Sequence, residues 1–226
     1  MDSLFVQLKH ELKRFKTQPD SIETIFIGGG TPSTVAPELY KDIFTYLKPY
    51  LKKDIEITSE ANPNSATYEW LKGMYELGVN RISFGVQSFD EKKLKVLNRA
   101  HSPQMAKDAI NNAKKIGFKN LSLDLIYATL GDTKELIAHD INTAFTLPIN
   151  HISAYALTIE EGTAFEHKPQ MSSEQLELTS WIFETIEAKG LPQYEISNFG
   201  EYHSSHNLGY WKYTDYMGVG AGAVGK

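Results

Sequence analysis

The chain has 226 residues, of which 41% are hydrophobic, so it can bury one substantial core. Its formal net charge of −5 argues against a nucleic-acid partner and favours small molecules or proteins. Because the chain contains no cysteine, it cannot by itself form disulfides, thiolate zinc sites or cysteine-held iron–sulfur clusters.

The first segment predicts an amphipathic helix. Leu4, Leu8, Leu12 and Phe15 alternate with lysine and glutamate between Asp2 and Thr17. The sequence has no long apolar run and no hydrophobic signal segment. We therefore expect a cytoplasmic protein that reaches membranes only through partners.

Five β-rich segments follow, with centres about 30 to 40 residues apart and helical patterns between them. The β-rich segments are Glu23–Ile27, Asp54–Ser59, Arg81–Val86, Leu121–Tyr127 and His151–Leu157. The helical patterns are Leu39/Ile43/Leu47, Leu71/Met74/Leu77, Ile110/Ala113/Ile116, Ile137/Ile141/Ala144 and Leu178/Ile182/Ile186, the last within a helix expected over Ser173–Lys189. This rhythm predicts parallel strands joined by helices, either closed into a barrel or open as a doubly wound sheet.

Unusual residues follow the predicted strands, where both of these folds bind their ligands. Gly28-Gly29-Gly30-Thr31-Pro32 follows the first strand, Glu60 ends the second and Gln87 ends the third. Asp124 lies within the apolar fourth strand, where a carboxylate needs either a structural hydrogen bond or a ligand. Glu60 and Gln87 on the same rim favour the ligand.

Two glycine-rich segments resemble nucleotide-binding loops without meeting their requirements. The first is followed by Thr31-Pro32, where a phosphate loop needs a lysine and a hydroxyl residue. The second, Gly220–Gly225, matches a dinucleotide fingerprint but has no helix after it to face a pyrophosphate. We expect a simple turn there.

From Pro169 onward the βα rhythm weakens, which places a boundary near residue 168. The polar, aromatic and glycine-rich tail lacks the apolar runs for a core of its own, so it must pack on the barrel or on absent chain. His203 and His206 could face one metal ion only in a helix, which the surrounding sequence does not favour. We expect two solvated loop histidines.

Six blocks of sequence carry a family resemblance. They are IFIGGGTPS, ITSEANPNS, LGVNRISFGVQSFD, VLNRAHS, LSLDLIY and ISAYALTIEEGTAF. In this order they resemble radical S-adenosylmethionine proteins of the oxygen-independent coproporphyrinogen III oxidase group. The stretch from His206 to Trp211 is similar to the HNxxYW motif of one branch, the HemW-type heme chaperones.

The resemblance implies an α/β fold, an incomplete (β/α)6 TIM-like barrel. Residues 1–168 would be a partial radical SAM barrel with strands two to six, lacking the first. Residues 169–226 would begin the family's C-terminal region.

The resemblance also implies a binding site for S-adenosylmethionine. Its residues would be Gly29, Gly30, Thr31, Glu60, Gln87, Arg99, Asp124 and Ala156. The glycine turn would receive the amino-acid end, Arg99 would pair with a carboxylate, and Asp124 would accept from ribose hydroxyls. Ala156 would lie against the adenine. Without the resemblance, Arg99 is best interpreted as half of a surface ion pair.

The same resemblance implies that the tail binds heme for delivery to heme-accepting proteins. His206 would be the axial donor, and Asn207, Tyr210 and Trp211 would complete the site. The alternatives are a coproporphyrinogen III dehydrogenase and a cluster-free, non-catalytic fragment.

Two departures from the family pattern affect these expectations. The CxxxCxxC loop that holds a [4Fe–4S] cluster in intact family members is absent, which indicates an internal fragment without catalysis. The resemblance places Ala128-Thr129-Leu130 where the family usually has Gly-Leu-Pro, which changes the backbone conformations open to this turn. Without the first strand, an exposed edge beside Ile25–Ile27 would favour a homodimer.

Overall fold

The computed structural model describes residues 1–159, 161–162, 165–173 and 176–226, which form one curved six-stranded sheet with helices on its outer face. The strands follow chain order across the sheet. They are β1 (Ile22–Ile27), β2 (Leu51–Ala61), β3 (Arg81–Gln87), β4 (Asn120–Tyr127), β5 (His151–Ala156) and β6 (Asn198–Gly200). The fold is the expected α/β half-barrel.

The five predicted strands are confirmed, and β1 to β5 pair in parallel. The sixth strand was missed because it has only three residues and no apolar pattern. It pairs antiparallel with β5, with Gly200 opposite His151, and adds the tail to the sheet. The division at residue 168 stays a prediction, although Phe199 and the helix before it share the main core.

The helices confirm the predicted apolar patterns and add two short elements. They are α1 (Asp2–Arg14), α2 (Lys41–Leu47), α3 (Tyr68–Glu76), α4 (Glu91–Val96), α5 (Pro103–Ile116), α6 (Lys134–Ala144), α7 (Leu176–Ala188) and α8 (Ser205–Trp211). Leu39 lies in a 3-10 turn before α2. The sequence predicted that α7 begins at Ser173. Residues 174 and 175 lie outside the described residues, and α7 is described from Leu176 onward. Neither α4 nor α8 was predicted.

The edge strand β1 is packed against helices. Leu8 and Leu12 of α1 are buried in a cluster that also includes Ile22 and Ile25 of β1. On the other side, α8 contacts β1 through Thr24. β1 is the edge strand of the sheet, as expected, and α1 and α8 pack against it. The homodimer stays a prediction.

The two faces of the sheet differ in polarity because side chains alternate along a strand. The outer face packs apolar residues such as Ile82, Leu123 and Ile152 against the helices. The inner face carries polar residues at every second position: Glu56, Thr58 and Glu60 on β2, Arg81 and Ser83 on β3, Ser122 and Asp124 on β4, and His151, Ser153 and Tyr155 on β5. The concave interior is therefore polar.

The tail closes the lower end of this interior, and Glu56 fastens it. The Glu56 carboxylate is 4% exposed and accepts from the Tyr202 hydroxyl at 2.7 Å and the Ser204 hydroxyl at 3.0 Å. It also accepts from the backbone N–H groups of Ser205 at 2.8 Å and His206 at 3.1 Å. One carboxylate on β2 thus satisfies four donors of the closing segment, residues 198–211.

Replacing Glu56 by alanine would remove the acceptor of these four donors, of which the Ser204 hydroxyl belongs to a buried residue. We expect Glu56→Ala to lower the free energy of unfolding by about 3 kcal/mol, and Glu56→Gln to lower it by roughly half as much. Urea denaturation measures both. As a control, Glu23→Ala removes an exposed glutamate that pairs with Lys52 and should cost below about 1 kcal/mol. Equal effects of Glu56→Ala and Glu23→Ala would contradict the role of Glu56.

Candidate functional site

The upper end of the interior, at the carboxyl ends of the strands, brings two predicted carboxyls together. Burial raises the pKa of Glu60 to about 6, and the negative charge of Asp124 acts in the same direction. Burial also raises the pKa of Asp124, from 3.8 to about 6. Two carboxyls that both resist ionisation mark a site suited to a cationic or hydrogen-bonding ligand.

Asp124 has partners on both neighbouring strands and on a loop. The Ser83 hydroxyl lies 3.3 Å from Asp124 Oδ1, and a hydrogen bond from Ser153 lowers the pKa of the carboxyl. The positive charge of Arg99 lowers that pKa too. The charge of Arg99 is therefore close enough to act on the predicted site, and Arg99 forms no salt bridge among the described residues.

Gln87 joins this group and carries an unused acceptor. Its side chain hydrogen-bonds the Tyr155 hydroxyl, whose pKa burial raises far above the usual value. Gln87 Oε1 is buried without a hydrogen-bond partner, and the backbone φ of Gln87 is +67°. An orphaned acceptor and left-handed backbone at the end of β3 are typical of a ligand-binding position.

The glycine turn after β1 lies beside Glu60. The N–H of Gly29 donates a hydrogen bond to the Glu60 carboxylate. Gly29 has a φ of +101°, which favours glycine, and a Cβ added at Gly29 or Gly30 would meet nothing within 4 Å. Thr31 follows, and Asn62 Nδ2 lies 3.4 Å from its hydroxyl. The backbone of the turn is therefore open to a ligand next to a half-buried carboxyl.

Ala156 lies at the same rim but differs from the other predicted residues. It follows Tyr155, whose side chain faces the interior, so its own side chain points to the opposite face of the strand. It lines a shallow cavity of about 310 Å³ with Leu157, Thr158, Ile159, Pro169 and Ser172. The predicted block from Ile152 to Phe165 also includes Glu160, Thr163 and Ala164, which lie outside the described residues.

Buried polar anchors hold the loops above the rim. The Asp140 carboxylate accepts from the Ser88 hydroxyl at 2.7 Å and the Phe89 N–H at 2.6 Å. A buried ion pair of 2.8 Å joins Lys93 to Asp132. Ala128, where the resemblance led us to expect a changed turn, has a φ of +58°, so the chain makes a left-handed turn here without glycine.

The HNxxYW motif forms helix α8, so the expected loop around His206 was wrong. The Ser204 hydroxyl caps the helix by accepting from the Asn207 N–H, and Glu56 accepts the N–H groups of Ser205 and His206. These bonds satisfy donors that a short helix otherwise leaves unpaired. His203 precedes the helix, is exposed, and stacks on Tyr194.

The imidazole of His206 is half-buried and fixed on three sides. Nδ1 lies 2.9 Å from the Thr24 hydroxyl, and Nε2 lies 2.9 Å from the Tyr210 hydroxyl. The ring stacks on Phe26, and a Cβ added at Gly28 would lie 2.6 Å from the Phe26 ring. Burial lowers the pKa of His206. Its role as axial donor stays a prediction, and ligation through Nε2 requires loss of the bond to Tyr210.

The other motif residues lie on the outer side of α8. Tyr210 is 47% exposed and Trp211 is 53% exposed, although the Trp211 indole N–H donates to Glu195 at 2.9 Å. Asn207 is half-buried one turn before Trp211. The motif thus presents two large aromatic faces to the surroundings.

Several polar residues of the interior were missed. Ser83, Ser153 and Tyr155 contact the predicted upper site. In the lower layer, His151 lies 2.7 Å from both the Ser122 and Tyr194 hydroxyls. The signal was present in the sequence, because polar residues recur at every second position in four otherwise apolar segments.

Comparison with known proteins gives the family. A model of the radical SAM superfamily matches residues 5–144. The chain belongs to the radical SAM superfamily. It is 39% identical over 220 residues to the heme chaperone HemW of Bacillus subtilis, and 40% identical over 217 residues to HemW of Escherichia coli. Each alignment covers 92% of this chain, and the chain spans 58% and 57% of those relatives.

A solved structure of coproporphyrinogen III oxidase (HemN) from Escherichia coli shares the radical SAM fold. Its TM-score is 0.80 at 20% sequence identity, over 99% of this chain and 56% of that chain. At this identity the likeness concerns the fold alone. Among the described residues, no helix combines the length and apolar character needed to cross a bilayer.

The residues of this radical SAM chain fit one family cofactor and not the other. Gln87 Oε1, the open glycine turn and the two carboxyls fit the amino and hydroxyl groups of S-adenosylmethionine. A [4Fe–4S] cluster needs cysteine thiolates, and the chain has none. The described residues also contain no group of three or more His, Asp or Glu that could hold a metal ion.

The raised pKa of Asp124 predicts a pH dependence of stability. Folding favours the protonated form of the Asp124 carboxyl. The contribution of this group to the free energy of unfolding is therefore complete below about pH 4 and is lost as the pH rises through about 6. The free energy of unfolding should therefore fall between pH 4 and pH 8 by about 1 to 2 kcal/mol less in Asp124→Asn than in wild type. Urea denaturation across this range measures the difference. Parallel profiles of the two proteins would contradict the raised pKa, and Glu23→Gln serves as the exposed control.

Proposed function

We propose that this chain is the radical SAM portion of a HemW-like protein that binds heme as cargo and delivers it to heme-accepting proteins. The observation that carries the proposal is helix α8, which displays the aromatic faces of Tyr210 and Trp211 beside an imidazole. A porphyrin needs a flat apolar surface and an axial donor. The identities of 39% and 40% to two proteins named heme chaperone support the same assignment.

The second candidate function is a coproporphyrinogen III oxidase. The fold similarity to HemN favours it, but that similarity does not extend to the site at 20% identity. The HNxxYW motif resembles that of the chaperone branch, and we therefore prefer heme as the ligand. A radical oxidation also needs a cluster that the residues of this chain cannot hold.

We propose that the upper site binds S-adenosylmethionine, which supplies the radical chemistry of this superfamily. Gly29, Gly30 and Thr31 would offer backbone and hydroxyl groups to its amino-acid end. Glu60, Gln87, Arg99 and Asp124 would hold the remainder, and Ala156 would stand near the adenine. Support comes from the unpaired Gln87 Oε1 and from the two carboxyls that burial keeps partly protonated.

Affinity for S-adenosylmethionine should be low in this chain. The open iron of a cluster normally chelates the amino and carboxylate groups, and losing such an anchor costs several kcal/mol, or about two to four decades in affinity. Calorimetry should show no binding tighter than about millimolar. A micromolar constant that Asp124→Asn abolishes would mean that the turn and the carboxyls suffice without the cluster.

Heme binding at α8 can be tested with two matched double variants. His206→Ala/Tyr210→Phe removes both donor groups of the motif, whereas His203→Ala/Tyr213→Phe removes the same residue types nearby. We expect the Soret shift on heme titration to be lost in the first and kept in the second, with at least about a tenfold difference in affinity. Equal behaviour of the two variants would contradict a heme site at the motif.

A further inference from the structure

The arrangement of His206 and Tyr210 bears on which atom binds the iron of the heme. Both ring nitrogens of His206 already have partners, Thr24 at Nδ1 and Tyr210 at Nε2, each at 2.9 Å. A neutral imidazole has one donor and one acceptor nitrogen. Whichever nitrogen carries the proton, the other accepts a hydrogen bond from Thr24 or Tyr210, so no lone pair of the ring is left for a metal.

The imidazole is also held in place by its surroundings. It stacks on Phe26 with ring centroids 5.0 Å apart, and its backbone N–H is fixed by the buried Glu56. To present Nε2 to an iron, the ring must give up the Tyr210 bond. To turn outward, it must also leave Thr24 and Phe26. The imidazole of His206 is therefore held by contacts within the protein and is not free to bind the iron.

Tyr210 has the opposite character. Its side chain is 47% exposed, and His206 and Tyr210 lie one helical turn apart on the same face of α8. Tyr216 supports the ring in an edge contact, with centroids 4.9 Å apart. Tyr210 is thus the residue of the motif that combines an oxygen donor, an exposed side chain and a fixed orientation.

From this geometry we propose that Tyr210 Oη, and not His206, is the axial ligand of ferric heme, with His206 as the positioning residue that is hydrogen-bonded to it through Nε2. The inference rests on the proposed heme function and specifies its ligand. On binding, an Fe(III)–O bond forms and the axial anion or water of the hemin leaves to solvent. The phenol O–H bond breaks, its proton is released to water, and the Nε2–H of the neutral His206 imidazole donates to the phenolate. No electron is transferred. Tyrosine is an established axial ligand of heme iron.

The proposal predicts a dependence on the oxidation state of the iron. A phenolate is a hard anionic donor that prefers Fe(III), whereas an imidazole binds both oxidation states. Chemical reduction of the heme-loaded chain should therefore weaken binding by at least about tenfold. Retention of full affinity by ferrous heme would overturn the assignment to Tyr210.

Single variants of the full chain separate the two donors, with hemin as the probe. We expect Tyr210→Phe to lose the iron–phenolate bands in resonance Raman spectra and at least about tenfold in ferric affinity. His206→Ala should keep those bands, shifted because the hydrogen bond is gone, and Tyr213→Phe should match wild type. Circular dichroism confirms that each variant is folded.

Two outcomes would overturn the proposal in distinguishable ways. If Tyr210→Phe keeps the wild-type spectrum while His206→Ala loses it, the iron is on the imidazole, and the heme function stands. If both single variants and the double variant bind heme as wild type does, the heme site at α8 is wrong as well.

Discussion

The arrangement of the tail depends on the four hydrogen bonds that the Glu56 carboxylate accepts. A carboxylate buried inside a curved sheet is costly unless hydrogen bonds satisfy it. Here the donors come from residues 202–206, about 150 positions further along the chain. Because two of the donors are the first N–H groups of α8, the carboxylate fixes the start of this helix and the direction of its aromatic side chains.

The polar interior contains two layers, and their polar groups have different surroundings. In the lower layer, Glu56 accepts hydrogen bonds from the closing segment, and His151 is hydrogen-bonded to Ser122 and Tyr194. In the upper layer, Gln87 Oε1 has no partner, and Glu60 and Asp124 both have raised pKa values. Unsatisfied polar groups at the carboxyl ends of parallel strands are typical of a ligand site. The lower layer also has unpaired buried atoms, Arg81 Nε and Asn198 Oδ1, but these lie in or under the closing segment and away from the strand ends.

Much of the fold could be predicted because the βα units repeat and their apolar spacing is regular. The helices α4 and α8 were missed for different reasons. In α4 the segment is short and mostly charged, and in α8 the helix depends on Glu56, a distant residue that local propensity cannot include. Strand β6 likewise exists through its pairing with β5.

The positions of the candidate site residues could be predicted, because the family resemblance indicated which residues to expect and the strand ends indicated where they lie. Their roles stay predictions. Glu60, Gln87, Arg99 and Asp124 do lie together. The conformation of Ala128 could not be inferred from its identity, since alanine rarely adopts a left-handed turn. The hydrogen bonds of His206 could not be inferred either, because Thr24 is 182 positions away.

The ring of Phe26 connects the two proposed sites. One of its faces stacks on the imidazole of the heme motif, and its edge fills the space where a side chain at position 28 would stand. Position 28 therefore has two independent reasons to lack a Cβ, the open turn beside Glu60 and the placement of His206. Even a single methyl group at position 28 would displace the Phe26 ring. A substitution in the glycine turn would therefore also change the placement of His206 in the proposed heme site.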